Sequence, residues 1–227
     1  MHTYETPSPI SAVLDIPAGR VDLVATDRTD TVVEVAPVDA AADRDVRTAE
    51  QTNVAYADGV LRVTTAVKNQ YFGPSGSVAV TVHLPTGSAV EAKAASAEFR
   101  ATGRFREVAF DGANGTIEID EAAGVRLTAL AGDVSVRRLH GPAEISTAKG
   151  DIRIAEAGRG RVVLRTQAGH IAVGATPGVA ASLDAGTSFG RIDNALTNTG
   201  NGPADLQIHA TTAYGDITAH SLRGAHR

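Results

Sequence analysis

A glycine recurs through the second half of the chain at Gly115, Gly132, Gly150, Gly169, Gly190 and Gly215, at spacings of 17, 18, 19, 21 and 25 residues. Two residues past each glycine stand Ile117, Val134, Ile152, Ile171, Ile192 and Ile217. Two further on come Ile119, Val136, Ile154, Val173, Asn194 and Ala219. Five residues before the glycines stand Phe110, Leu127, Ile145, Leu164, Ala185 and Ala210, and seven before, Val108, Val125, Ala143, Val162, Leu183 and Ile208. Polar residues such as Glu118, Ser135, Arg153, Asp193, Arg126, Glu144 and Asp184 fill the gaps. Alternation at fixed offsets from a turn residue is the mark of strands with one buried face. A unit this short cannot close a core alone and must stack on its neighbours. A weaker copy fits upstream, with Ala97 at the turn and Val90, Ala92, Ala94 and Phe99 in the columns.

The spacing predicts an all-β fold: a right-handed parallel β-helix, or β-solenoid, of about seven coils. Hydrophobic residues make up 43% of the chain, but aromatics only 4%, with no Trp; narrow coils need small and β-branched interiors, so this balance agrees with the repeat. Upstream, Val13, Leu14 and Ile16 precede Pro17-Ala-Gly-Arg20, with Val21, Leu23 and Ala25 after it, which reads as a hairpin, followed by a strand over 31–35. Residues 40–53 are the one plausible helix or else a loop. Asp58-Gly59 between Val54-Ala-Tyr56 and Val60-Leu-Arg-Val63 is a strong hairpin signal. Lys68 to Gly76 forms a turn-rich loop with adjacent Tyr71 and Phe72, expected to pack a ring on the sheet end or to offer a partner contact. Val78, Val80 and Val82 alternate again. The expected organisation is therefore an antiparallel β-hairpin region over 1–87, capping solenoid repeats over 88–227 that end in a short loose tail.

A formal charge of −5 with both signs scattered leaves no basic stripe for a phosphate backbone, so nucleic acid is excluded as a partner. There is no cysteine, hence no disulfide framework and no thiol nucleophile. Met1-His-Thr-Tyr-Glu-Thr-Pro7 lacks the basic and apolar regions of a secretory signal, and no run approaches the roughly eighteen apolar residues of a membrane span. A cytoplasmic location is expected.

The phrases Thr6-Pro-Ser-Pro9, Leu14-Asp-Ile-Pro17 and the run from Ala25 to Val35 resemble the opening of actinobacterial members of the DUF4097 β-strand-repeat family, which carry the label of candidate adhesins. The Gly-Asp-Val and Gly-Asp-Ile coils at 132, 150 and 215 and the phrase Thr187-Ser-Phe-Gly-Arg-Ile-Asp-Asn194 continue the resemblance across nearly the whole chain. It implies a β-helix-like fold of parallel coils and no activity that transfers residue by residue.

Column by column, the residues after the turn glycines are Thr116, Asp133, Asp151, His170, Arg191 and Asp216. In register, Asp133 and Asp151 could hold Ca²⁺ and His170 could pair with Asp151; but a hard cation needs six to eight oxygens, and Gly-Asp is ordinary turn chemistry in which the carboxylate bonds nearby backbone. Three positions before the turn, Thr147, Thr166, Thr187 and Thr212 are expected to exchange hydroxyl hydrogen bonds up the stack. The seven histidines show no zinc spacing, and nucleophile elbows and phosphate loops are absent. No catalytic, cofactor-binding or metal-ligating residue is assigned. The expected function is a non-enzymatic β-solenoid binding or scaffold module, meeting a protein or polysaccharide surface through exposed residues such as Arg126, Glu144, Arg153, Arg165 and Asp193. The alternatives are a self-assembling β-helical scaffold or filament, with a homo-oligomer possible, and a carbohydrate-active enzyme testable at Asp151 or His170.

Overall fold

In the computed structural model the chain forms two compact units, Met1–Thr116 and Ile117–Arg227, of which residues 1–65, 76–197 and 204–224 are described. Tyr71 and Phe72, the glycine-rich stretch 198–203 and the end of the tail lie outside the described residues.

The first unit contains β1 (His2–Glu5), β2 (Ser11–Thr26), β3 (Asp30–Pro37), α1 (Asp43–Glu50), β4 (Thr52–Ala57), β5 (Val60–Thr65), β6 (Val78–Pro85) and β7 (Ala89–Asn114). The hairpin expected across Pro17-Ala-Gly-Arg20 does not form. β2 bends there and continues as one strand, parallel to β5 through Ser11–Asp15, parallel to β6 through Gly19–Thr26, and parallel to β7 on its other side. Gly19 explains the bend, since its φ is +130° and a Cβ would sit 1.9 Å from the Val78 carbonyl oxygen. Only glycine fits a corner where two backbones come this close. Antiparallel pairing joins β1 to β3, β3 to β6, and β4 to β5. The β4–β5 link is the Asp58-Gly59 turn, with both residues at positive φ, as a type I′ turn demands.

The helix is shorter than the 40–53 window. Its first turn carries Asp43 and Asp45, favourable at the positive end of the helix dipole. Asp45 is also buried, and its two carboxylate oxygens accept the backbone N–H groups of Asp39 (3.2 Å) and Ser77 (3.0 Å), tying the helix to the chain on either side.

The second unit contains β8 (Ile117–Ala131), β9 (Val134–Leu139), β10 (Ala143–Lys149), β11 (Ile152–Ala157), β12 (Gly160–Ala168), β13 (Ile171–Ala175), β14 (Ala181–Phe189), β15 (Ile192–Ala195), β16 (Leu206–Tyr214) and β17 (Ile217–Ser221). Its pairs are parallel and form two ladders. One runs from the first half of β8 through β9, β11, β13 and β17 to β15. The other runs from the second half of β8 through β10, β12 and β16 to β14. Ile117, Val134, Ile152 and Ile171 therefore lie one above the next in the core, all at most 2% exposed. Each such buried aliphatic contributes on the order of 2 kcal/mol.

The stacking order departs from chain order at the end. Ile171 pairs with Ile217, and Ile217 in turn with Ile192, so the last segment of the chain is inserted beneath the coil that precedes it in sequence. The inner column gives the physical reason. Where other coils place Val136, Ile154, Val173 and Ala219, this coil places Asn194, and an amide buried in a dry interior without a partner costs about 1–3 kcal/mol. The coil with Asn194 takes the outermost rung, where that residue is exposed.

Candidate functional site: the glycine corner of the second unit

The corner where each coil turns from one ladder to the other brings three columns together. The glycines form its floor. Gly150 and Gly169 have φ of +141° and +155°, and a Cβ on either would lie about 2 Å from the corner carbonyl oxygen of the coil before it. Gly215 in turn packs on Gly169 and Gly190 on Gly215, repeating the stacking order of the strands.

On one side of the floor lies the column of Asp133, Asp151, His170, Asp216 and Arg191. Asp133 Oδ1 accepts the backbone N–H of Asp151 (2.8 Å), Asp151 Oδ1 that of His170 (2.7 Å), His170 Nδ1 that of Asp216 (3.0 Å), and Asp216 Oδ1 that of Arg191 (2.8 Å). Each side chain thus fastens the next coil, and the accepting Nδ1 puts the His170 proton on Nε2. The ladder stops at Arg191, a residue with donors and no acceptor. Among the described residues no group of three or more His, Asp or Glu is placed to hold a metal.

The threonine column does a different task from the one expected of it. Thr166 Oγ1 donates to the Gly150 carbonyl (3.1 Å), Thr212 to Gly169 (3.0 Å) and Thr187 to Gly215 (3.0 Å). Thr147 donates to Lys149 O (3.2 Å). The hydroxyls of Thr166, Thr212 and Thr187 bond corner glycine carbonyls instead of one another, while Thr147 adds a second donor to Lys149 O, which also accepts the Gly132 N–H.

On the outer side stand Lys149, Ala168, Tyr214 and Phe189 in register. The rings of Phe189 and Tyr214 stack at 4.9 Å and 6° between planes, and both residues are largely exposed, at 64% and 60%. The sequence columns contain this pair one position before Gly190 and Gly215, in consecutive coils, but the stacking and exposure of the two rings show only in the structure.

Beyond the corner, Arg126, Glu144, Arg153, Arg165 and Asp193 are exposed on the walls, as expected. Glu144 and Arg165 meet at 3.5 Å, and Asp184 meets His209 at 3.1 Å. A charged cluster lies at the far edge of the first ladder. Glu121 holds both Arg138 (2.8 Å) and His140 (3.0 Å), and Asp120 binds Arg137, a contact that pushes the Arg137 guanidinium pKa up. In the first unit a cleft of about 490 Å³ opens over Gly19, Ala97 and Gly115, walled by small residues with the exposed Arg20–Glu98 ion pair at its rim. None of these groups pairs a base with a nucleophile.

The model of the Toastrack DUF4097 family matches residues 14–226. No curated protein matches the chain significantly. Among solved structures, a candidate adhesin from Bacteroides fragilis NCTC 9343 superposes with a TM-score of 0.57 at 12% identity, covering 96% of this chain and 95% of its own. A candidate cell adhesion protein from Clostridium sporogenes ATCC 15579 gives 0.43 at 11% identity, with 97% and 98% covered. A candidate lipid binding protein from Parabacteroides distasonis ATCC 8503 gives 0.44 at 11% identity, with 98% and 96% covered. At this identity the first of them shares the fold. Among the described residues no helix is long and apolar enough to cross a membrane.

Proposed function

This chain belongs to the Toastrack DUF4097 family, and from that membership and its corner geometry we propose that it works as a non-enzymatic β-solenoid binding or scaffold module. The observation that carries this reading is the occupied ladder: Asp133, Asp151, His170 and Asp216 each hold the backbone of the next coil and are thereby committed to structure. The walls, by contrast, present outward side chains at the regular ~4.8 Å step of a parallel sheet. Arg126, Glu144, Arg153, Arg165 and Asp193 are the contacts, and a protein or polysaccharide surface is the partner. The antiparallel strands β3 and β4 act as the cap of this module, covering edges of β6 and β5 that would otherwise be open to association, and β1 covers β3 in turn. Self-assembly is the second reading, favoured by the exposure of Ile192 in the last coil.

The test is a paired measurement on wild type, Asp151→Asn and His170→Gln. Incubated with a panel of neutral and acidic polysaccharides, all three are expected to leave the polymers intact. Turnover by wild type that either substitution removes would replace the binding reading with an enzymatic one. Against any polymer or protein that binds, Arg126→Glu with Arg165→Glu is expected to weaken affinity at least tenfold, while Asp151→Asn keeps it; an unchanged affinity in the double variant removes the wall from the contact surface.

A further inference from the structure

In the second unit, the coil of β14 and β15 is an unfinished rung. Corner N–H groups pass from coil to coil: Gly132 donates to Lys149 O, Gly150 to Ala168 O, Gly169 to Tyr214 O and Gly215 to Phe189 O, each at 2.9 Å. The next column repeats this, with Ile152 donating to His170 O, Ile171 to Asp216 O and Ile217 to Arg191 O. Among the described residues Gly190 and Ile192 have no such acceptor, and β14 and β15 have strand partners only on the side of β16 and β17. The core is open on the same side. Ile192 is 47% exposed where Ile171 and Ile217 are 1%, and Leu183 and Ala185 are part-exposed where Ile208 and Ala210 are buried. Between Ala181 and Phe189 there is no Lys, Arg or Pro to discourage strand addition.

We propose that this rung is completed by a second copy of the same chain, joined edge to edge about a two-fold axis parallel to the strands. A row of backbone donors and acceptors without partners among the described residues suits an extended strand, and every copy carries one. The two-fold lays β15 of one copy antiparallel on β14 of the other. Keeping inward residues inward and the two corners level admits the register with Ile192 opposite Thr187, Asn194 opposite Ala185, Asp193 opposite Gly186 and Ala195 opposite Asp184. No carboxylate then faces another. The same operation places Arg191, the ladder residue with nothing further to fasten, beside the outer face of the Phe189 ring of the other copy, a cation–π contact made twice. The strands supply nine and four residues a side, fewer than the 20–30 of a standard interface, so the dimer belongs with small, concentration-dependent interfaces.

Sedimentation of the full chain from about 1 to about 300 μM tests this. A monomer–dimer equilibrium with no larger species is expected. Arg191→Glu, an exposed change, and Ala185→Lys, which points a charge into the open end, are each expected to weaken it at least tenfold, with circular dichroism unchanged for Arg191→Glu. Arg165→Glu on the wall is expected to leave it alone. A monomer at every concentration overturns the proposal, as does a dimer indifferent to Arg191→Glu. Species that keep growing with concentration overturn the two-fold in favour of head-to-tail stacking. Because neither edge variant touches Arg126 or Arg165, loss of dimerisation and loss of wall binding are separately readable.

Discussion

At Gly150 the corner admits no side chain, for two separable reasons: its φ is +141°, and the Gly132 carbonyl oxygen lies 2.1 Å from where a Cβ would be. Gly178 shares the first reason, with φ of +80°, and not the second, since nothing lies within 4 Å of its Cβ position. Gly178→Ala is expected to cost about 1 kcal/mol of backbone strain. Gly150→Ala adds a collision between stacked coils and is expected to cost on the order of 3 kcal/mol or more. Urea midpoints at unchanged m-value measure both, and equal losses would show that stacking distance is not what selects glycine. A second residue-scale prediction concerns pH. Arg28 donates to both oxygens of Asp30 (2.8 and 3.0 Å), and this hydrogen bond holds the Asp30 carboxyl below the usual carboxylate range. A depressed acid stabilises the fold above its unfolded pKa, and that contribution disappears as pH falls through the folded value. The stability gap between wild type and Arg28→Ala is thus expected to be present at neutral pH and to close in acid. A gap that widens on acidification would contradict the assignment, and the exposed position keeps it small at any pH.

At the scale of elements, the decisive statement is the order of the last coils, and cysteine pairs can read it because the chain has no cysteine of its own. Ala172 and Thr218 are register partners on β13 and β17, within the Cα separation a disulfide spans. Ala172→Cys with Thr218→Cys is expected to cross-link on oxidation, as is Asp193→Cys with Thr218→Cys; Ala172→Cys with Asp193→Cys is expected to stay reduced. Cross-linking of the last pair alone would restore chain order. The sequence made the repeat legible because its offsets from glycine survive any drift in period. The order of the rungs was less legible, since like columns pair equally well on paper; the clue was Asn194, a polar residue in an inner column, tolerable only at an open end. Gly19 was the other clue. Ala12, Leu14, Val21 and Leu23 stand at the same offsets from it as the later columns do from theirs, yet Pro17 beside it mimics hairpin punctuation. Position in a repeat outweighed local turn composition, because a strand paired on both sides buries far more than a hairpin does. The corner itself was half visible: Gly-Asp promised a carboxylate bonded to backbone, but that the bond reaches across coils follows only from stacking.

For the molecule as a whole, position in sequence and position in the fold come apart. β2, the first long strand, is flanked by β5 and β6 on one side and β7 on the other, and β16 and β17 are flanked by β12 and β13 on one side and β14 and β15 on the other. In a stacked array each rung is held by its neighbours, so inner rungs open only with the unit while an outer rung frays alone. Amide hydrogen exchange should therefore invert the usual pattern of loose chain ends. Within the second unit, the amides of Ile152 and Ile171, whose acceptors His170 O and Asp216 O lie on inner rungs, are expected to exchange only through unfolding of that unit, and those of Gly190 and Ile192 orders of magnitude faster, measured at a dilution where the chain is monomeric. Raising the concentration into the dimeric range should slow Gly190 and Ile192 selectively. Truncation makes the same point more severely: ending the chain after Thr197 removes an inner rung, leaving β12 and β13 facing β14 and β15 across a missing coil, and is expected to unfold the second unit cooperatively. A truncated chain that kept Ile171 protected would mean that β14 and β15 can close directly onto β12 and β13, and that the inserted rung is dispensable to the stack.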